Sequence, residues 1–270
     1  MLHFSEEKVP RMLMTAVIVL IITVVLYYSL DAITQTPRPG VRMAIDIIHP
    51  RCDAFSNRWV SSKQPSAHTQ TLESFESIRV GGNSYKVHED LVNPRLAAET
   101  MDALNQIGLE LIARLNAKYT NSRQGMESLK PEYREIVRSG IISLSKNFKA
   151  ANMEENIPER SGGDTSYVID KGDVFAMCLR DPKNDHKVDV SNDMNELKFV
   201  LIHEMAHIFT STFGHDALFW NNFRFMLQEA TQAGIYTPIN YKKNKHPYCG
   251  IIISYSPLYD NDLKDYKLSA

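Results

Sequence analysis

Apolar positions recur at two different periods along this chain. Leu96, Met101, Leu104, Ile107, Leu111 and Leu115 follow Asn93-Pro94 at spacings of three and four, which predicts an amphipathic helix running to about Tyr119. Tyr133, Val137, Ile141 and Leu144 repeat the pattern between Pro131 and Asn147, a second helix. Shorter runs read as strands. Ile78-Arg79-Val80 and Tyr85-Lys86-Val87 flank Gly81-Gly82-Asn83 as a β-hairpin. Ser166 to Ile169 and Val174 to Arg180 flank a turn at Asp170-Lys171-Gly172. Asn152 to Asp164, polar and broken by Pro158, Gly162 and Gly163, reads as a surface loop, and residues 181 to 192 as a charged one. Leu197, Phe199, Val200, Leu201 and Ile202 are apolar on every side of a turn, so the helix they start is buried. Asp193 and Glu196 give it a capping-box-like beginning. A last amphipathic helix ends near Gly234. Helices and short strands are interspersed without internal repeats, an α+β set of elements.

The N-terminus follows another pattern. Met12 to Leu30 is apolar and carries no charge, long enough to span a bilayer as a helix, with Tyr27 and Tyr28 placed as an interfacial aromatic pair. A cleaved signal peptide has a shorter apolar core and a small-x-small site after it. The expectation is therefore a tail over 1–11, a single transmembrane helix over 12–30 anchoring the protein in a membrane, and a tether over 31–80. The tether is rich in Pro, Ser, Thr and Gln, with Val41 to Ile48 as a candidate strand. The folded domain is expected over 81–256 and a C-terminal tail over 257–270. Lys8 and Arg11 on one side of the span and Arg38 and Arg42 on the other leave its orientation open.

Thirty basic and 32 acidic residues give a net charge of −2, without the clustered basic excess of a nucleic-acid binder. Lys242, Lys243 and Lys245 read as a solvated loop. Cys52, Cys178 and Cys249 share no CxxC spacing and give no disulfide framework. Cys178 and Cys249 lie in apolar runs and read as small buried hydrophobes. No Asn-x-Ser/Thr sequon is present, which weakly disfavours a glycosylated domain.

The chemistry concentrates at residues 203–215. His203-Glu204-Met205-Ala206-His207 places two imidazoles at i and i+4, on one face of a helix. A catalytic zinc site takes three protein ligands and leaves a fourth position for water. Glu204 sits beside the ion without filling that position, as a general base for the water. Thr210 to Gly214 breaks the helix, and a left-handed Gly214 turns the chain back toward His215. On an unbroken helix His215 would lie about 12 Å further along, too far to share a metal. His215 is therefore the third ligand, with His186 and His246 as alternatives. Asp216 is placed to cap the next helix or to orient a histidine.

HExxH, the Gly214-His215 pair and the following Phe219-Trp220 resemble the WLM-type and SprT-like minimal zinc peptidases, and more closely the WLM-like metallopeptidases of large DNA viruses. The segments Lys171-Gly172 to Cys178-Leu179-Arg180 and Tyr236 to Ile252, with Tyr248-Cys249-Gly250, resemble that group too. The resemblance covers roughly residues 85 to 255. One departure is the spacing: eight positions separate His207 from His215, more than in the commonest WLM pattern. The resemblance implies a zincin-like α+β fold with a small mixed sheet, a Zn2+ cofactor and a peptide or protein substrate. In zincins an exposed edge strand just before the HExxH helix runs along bound peptide, a place Val174 to Arg180 occupies here, unless it is simply a core strand. Tyr248 is a candidate oxyanion donor, or else a packed core residue. The reading is a membrane-anchored zinc metalloendopeptidase. Its alternative is an inactive zinc-stabilised interaction module, in which Cys249, Cys178 or His246 closes the fourth position. The same families include proteases acting on DNA-bound proteins, an option the charge balance argues against.

Overall fold

A computed structural model describes residues 75–161, 163–181, 187–188 and 194–268. The chain enters through a hairpin, β1 (Phe75–Val80) and β2 (Asn83–His88), antiparallel with Phe75 opposite His88 and Val80 opposite Asn83. Tyr85 and Val87 point inward and are fully buried, the alternation that the sequence predicts. β1 begins inside the stretch read as tether.

Pro94 then opens α1 (Pro94–Leu115), and a single π turn, Asn116–Thr120, carries it to the predicted end. Proline is favoured there because the first helical N–H has no partner within the helix. A short α2 (Arg123–Glu127) and a 3-10 turn at Pro131–Tyr133 lead to α3 (Arg134–Asn147), which buries Val137, Ile141 and Leu144. Next come β3 (Met153–Glu155), β4 (Tyr167–Ile169), β5 (Val174–Met177) and a two-residue pair, β6 (Arg180–Asp181) with β7 (Lys187–Val188). The main sheet has the order β1-β2-β3-β5-β4. β2–β3 and β3–β5 are parallel, and both outer pairs are antiparallel. The class is α+β with a mixed sheet, as expected.

Two expectations about this sheet change. β3 lies in the segment read as a surface loop. Met153 and Glu155 are buried, and Glu155 is tolerated there because Arg180 meets it at 2.6 Å with both side chains at 0% exposure. β5 is not an edge strand: β3 flanks it on one side and β4 on the other, so the edge strands of this sheet are β1 and β4.

Behind the sheet, α4 (Met194–Phe209) packs against α1, α3 and α5 (Ala217–Gln232). Leu201, Ile202, Met205, Ala206 and Ile208 have no exposure. Gly140 of α3 makes this packing possible, since a Cβ there would meet the Phe209 ring at 2.5 Å. A hairpin of β8 (His246–Tyr248) and β9 (Ile251–Ile253) follows. The segment read as a C-terminal tail folds back onto the core. Leu263 and Tyr266 are buried, Tyr266 stacks on Tyr133 at 4.3 Å, and the Leu268 N–H donates to the Ser128 carbonyl at 2.9 Å.

The expected single-pass membrane localisation is corrected. Among the described residues no helix is long and apolar enough to cross a membrane. α1 is the longest, but it carries Arg95, Glu99, Asp102, Glu110 and Arg114. α4 carries Glu196, Lys198 and Glu204 and spans only about 24 Å against the roughly 30 Å of a hydrocarbon core. The run Met12 to Leu30, the strand expected at Val41 to Ile48, Cys52, Asp193 and His186 lie outside the described residues.

Candidate metal centre

The site is built on the C-terminal half of α4 and the loop after it. His203 and His207 lie one turn apart on this helix, whose apolar surroundings fix its position. Thr210 ends the helix: its N–H and hydroxyl both donate to the Ala206 carbonyl, at 3.0 and 2.7 Å. Gly214 takes φ 77°, a left-handed conformation that strains any residue with a Cβ. The Asp216 carboxylate accepts the Phe219 N–H at 2.8 Å and caps α5, the first of its two expected roles.

These turns bring the three imidazoles together. One ring nitrogen from each of His203, His207 and His215 lies within 4.8 Å of the others. The Nε2 atoms of His203 and His215 are 3.1 Å apart. Two imidazole nitrogens sharing a tetrahedral ion at 2.0–2.1 Å would be about 3.3 Å apart, so the spacing fits a common metal. The walls are aromatic. Phe219 stacks on His207 at 4.3 Å, Trp220 on His215 at 5.6 Å, and Phe223 meets His203 edge-on at 5.1 Å.

That enclosure sets the protonation states. Burial, then the charge of the neighbouring histidines, holds His203 and His207 well below the ordinary imidazole range. His215 is pushed down to about 4 by burial, against the opposing pull of Asp216. All three are thus neutral near pH 7, the form that ligates a cation. Glu204 is 3% exposed, and its Oε2 has no hydrogen-bond partner among the described residues. Burial, with a contribution from Asp164, raises its carboxyl well above the usual range. A buried, unpartnered carboxylate oxygen costs free energy unless something polar comes to it.

The remaining predicted residues fall as follows. The Tyr248 hydroxyl lies 2.8 Å from both the Cys178 carbonyl, to which it donates, and Ser166 Oγ. It ties the β8–β9 hairpin to the end of β5. Cys178 and Cys249 form a disulfide, which corrects their reading as inert hydrophobes. His246 meets Glu196 at 2.6 Å through Nδ1, away from the triad. The sequence reading passed over two supports. Lys171 reaches beneath the loop after α4 from the β4–β5 turn. Asn222 of α5 links the Tyr266 hydroxyl, at 2.6 Å, to the Thr210 hydroxyl, at 2.9 Å. The signals were present but weak: a lysine in a turn of three left-handed residues, and an asparagine on the buried face of an apolar helix.

No protein-family model matches the sequence, and no solved structure matches it. It is similar to an uncharacterized protein of Acanthamoeba polyphaga mimivirus, 32% identical over 113 residues, which are 42% of this chain and 54% of that protein. It is also similar to an uncharacterized protein of Invertebrate iridescent virus 6, 32% identical over 99 residues, 36% of this chain and 51% of the relative. The chain thus spans about half the length of the curated relatives it matches.

Proposed function

We propose that this domain is a zinc-dependent metallopeptidase of the minimal zincin type, related to the WLM-type and SprT-like peptidases and to their counterparts in large DNA viruses. The observation that carries the reading is three imidazoles converging beside a buried carboxylate, one oxygen of which has no hydrogen-bond partner among the described residues. His203, His207 and His215 would hold the ion. A bound zinc supplies Lewis acidity, lowering the pKa of water toward about 7 and polarising a carbonyl. Glu204 takes a proton from the attacking water and returns it to the leaving amine. The raised proton affinity that burial gives its carboxyl suits that shuttle. The aromatic wall of Phe219, Trp220 and Phe223 keeps bulk water from the reacting atoms. An extended peptide would lie along β4, an edge strand, through main-chain hydrogen bonds.

A closed structural site needs a fourth protein ligand. The candidates for it are otherwise engaged: Cys178 and Cys249 with each other, and His246 with Glu196. Tyr248 is read as a brace, because its hydroxyl is committed to Cys178 and Ser166.

The test is Glu204→Gln. It should keep the metal stoichiometry and fold while losing about 10²–10⁴-fold in cleavage of an unfolded protein. Undiminished cleavage by the variant, or X-ray absorption showing four protein ligands, would reject the proposal.

A further inference from the structure

Lys171 lies outside the HExxH motif, yet its ammonium sits where the metal helix ends. Nζ donates to the carbonyls of His207 at 2.9 Å, Thr210 at 2.6 Å and Thr212 at 2.5 Å. It also lies over the Phe213 ring, 4.5 Å from its centroid. An ammonium has three N–H groups, and these three carbonyls match them. The acceptors belong to a ligand residue and to the loop that returns the chain to His215. The last carbonyls of a helix have no partner within it and carry the negative end of its dipole, so a cation is favoured there. The backbone delivering Lys171 is unusual too. Asp170, Lys171 and Gly172 all have positive φ, at 44°, 60° and 120°. Gly172 sits so close to Asn147 that a Cβ would meet its carbonyl at 2.8 Å. The turn is therefore held from the α3 side and aims the lysine at the loop.

We propose that Lys171 is the positioning residue for the third ligand: it clamps residues 207–212 so that His215 meets the ion already placed. This deepens the metallopeptidase reading and rests on it. A loop of five residues between helix and ligand is otherwise free to adopt many conformations, each of which separates His215 from the other two rings. By bonding a carbonyl at each end of Thr210–Thr212 as well as His207, the ammonium fixes the path before metal binds.

The experiment is a double-mutant cycle read by cobalt(II) affinity and the visible d–d absorption of the bound ion, in the full chain. In the wild-type background Lys171→Met should weaken cobalt binding about 10–100-fold, the range typical when a residue orienting a ligand is lost, and shift the d–d bands. Lys171→Arg, which keeps the cation, should recover most of that loss. In a His215→Ala background Lys171→Met should change cobalt affinity by less than about 3-fold, because the ligand it positions is gone. Equal losses in both backgrounds mean that Lys171 merely stabilises the fold, which overturns the inference and leaves the metal site standing. Unchanged affinity and spectrum in Lys171→Met overturn it equally. Failure of the wild-type protein to bind cobalt overturns the metal reading and the inference together. Should Lys171→Met not fold, Lys171→Gln carries the same cycle with the same outcomes.

Discussion

Replacing Arg180 by Met would strand a carboxylate in the interior. Arg180 Nε lies 2.6 Å from Glu155 Oε1 and Nη2 lies 3.4 Å from Oε2, with both side chains fully excluded from solvent. Oε2 also accepts the His88 N–H at 2.9 Å. Methionine reproduces much of the arginine's aliphatic stem, so the main loss is charge. Removing one partner of a buried pair costs about 3–5 kcal/mol. Against a total stability of about 5–15 kcal/mol, that leaves a marginal domain. At roughly 2–4 °C per kcal/mol for this size, Tm should fall by about 6–20 °C. Glu155→Gln is nearly isosteric and removes the carboxylate charge that Arg180 Nε meets, while Nη1 still donates to the Val92 carbonyl. Its cost should lie in the same range. The double variant removes both charges, so its cost should fall short of the sum by about 2 kcal/mol or more. Urea unfolding followed by far-UV dichroism, with the slope checked for constancy, measures all three. Single substitutions costing less than about 1 kcal/mol, or an additive double variant, would refute the argument.

The other predictions concern the site's supports and the response to acid. Gly214→Ala meets no atom within 4 Å of the new Cβ, so only backbone strain opposes it. It should lower stability by about 1–2 kcal/mol and weaken metal binding, which a chelator competition reads. Cys178→Ser with Cys249→Ser opens a link across 71 residues and should cost up to about 4 kcal/mol. An unchanged unfolding midpoint under thiol reductant would count against it. His88 is held at about 4 by burial and then by Arg160, below its ordinary 6.5. Its unfolded form takes up a proton first, so its contribution is full above about pH 6.5 and is lost as pH falls toward about 4. Urea midpoints of the metal-free protein should drop across that window, and His88→Phe should drop less.

The parts of the fold that were readable are those where local pattern and tertiary environment agree. The α1 and α3 stripes and the β1–β2 hairpin carry apolar residues at their own periods, the β4–β5 hairpin is marked by its turn, and the α4 run is apolar all round because it is buried. β3 broke that agreement, since Met153-Glu154-Glu155 looks like surface until Arg180, 25 residues away, neutralises Glu155. The position of β5 departs from expectation for a related reason: chain order places it just before the HExxH helix but does not say that β4 folds back to cover its flank. At the site, spacing was enough to bring out His203, Glu204 and His207, because helical geometry links i to i+4. His215 needed the extra clue of Gly214. Lys171, Asn222 and the Cys178–Cys249 link act across long stretches of chain, where no period connects them to what they support.

The hydrogen-bonded series from Tyr266 through Asn222 and Thr210 to the Ala206 carbonyl couples residues 263–268 to the helix that bears His203 and His207. Proteolytic trimming there, even by a handful of residues, would withdraw an aromatic ring from Tyr133 and a cation from Glu229, where Lys267 sits at 2.7 Å. The loosening would then reach the helix that bears His203 and His207. On the proposed metallopeptidase reading, zinc retention after limited digestion is a gauge of whether residues 263–268 are still docked.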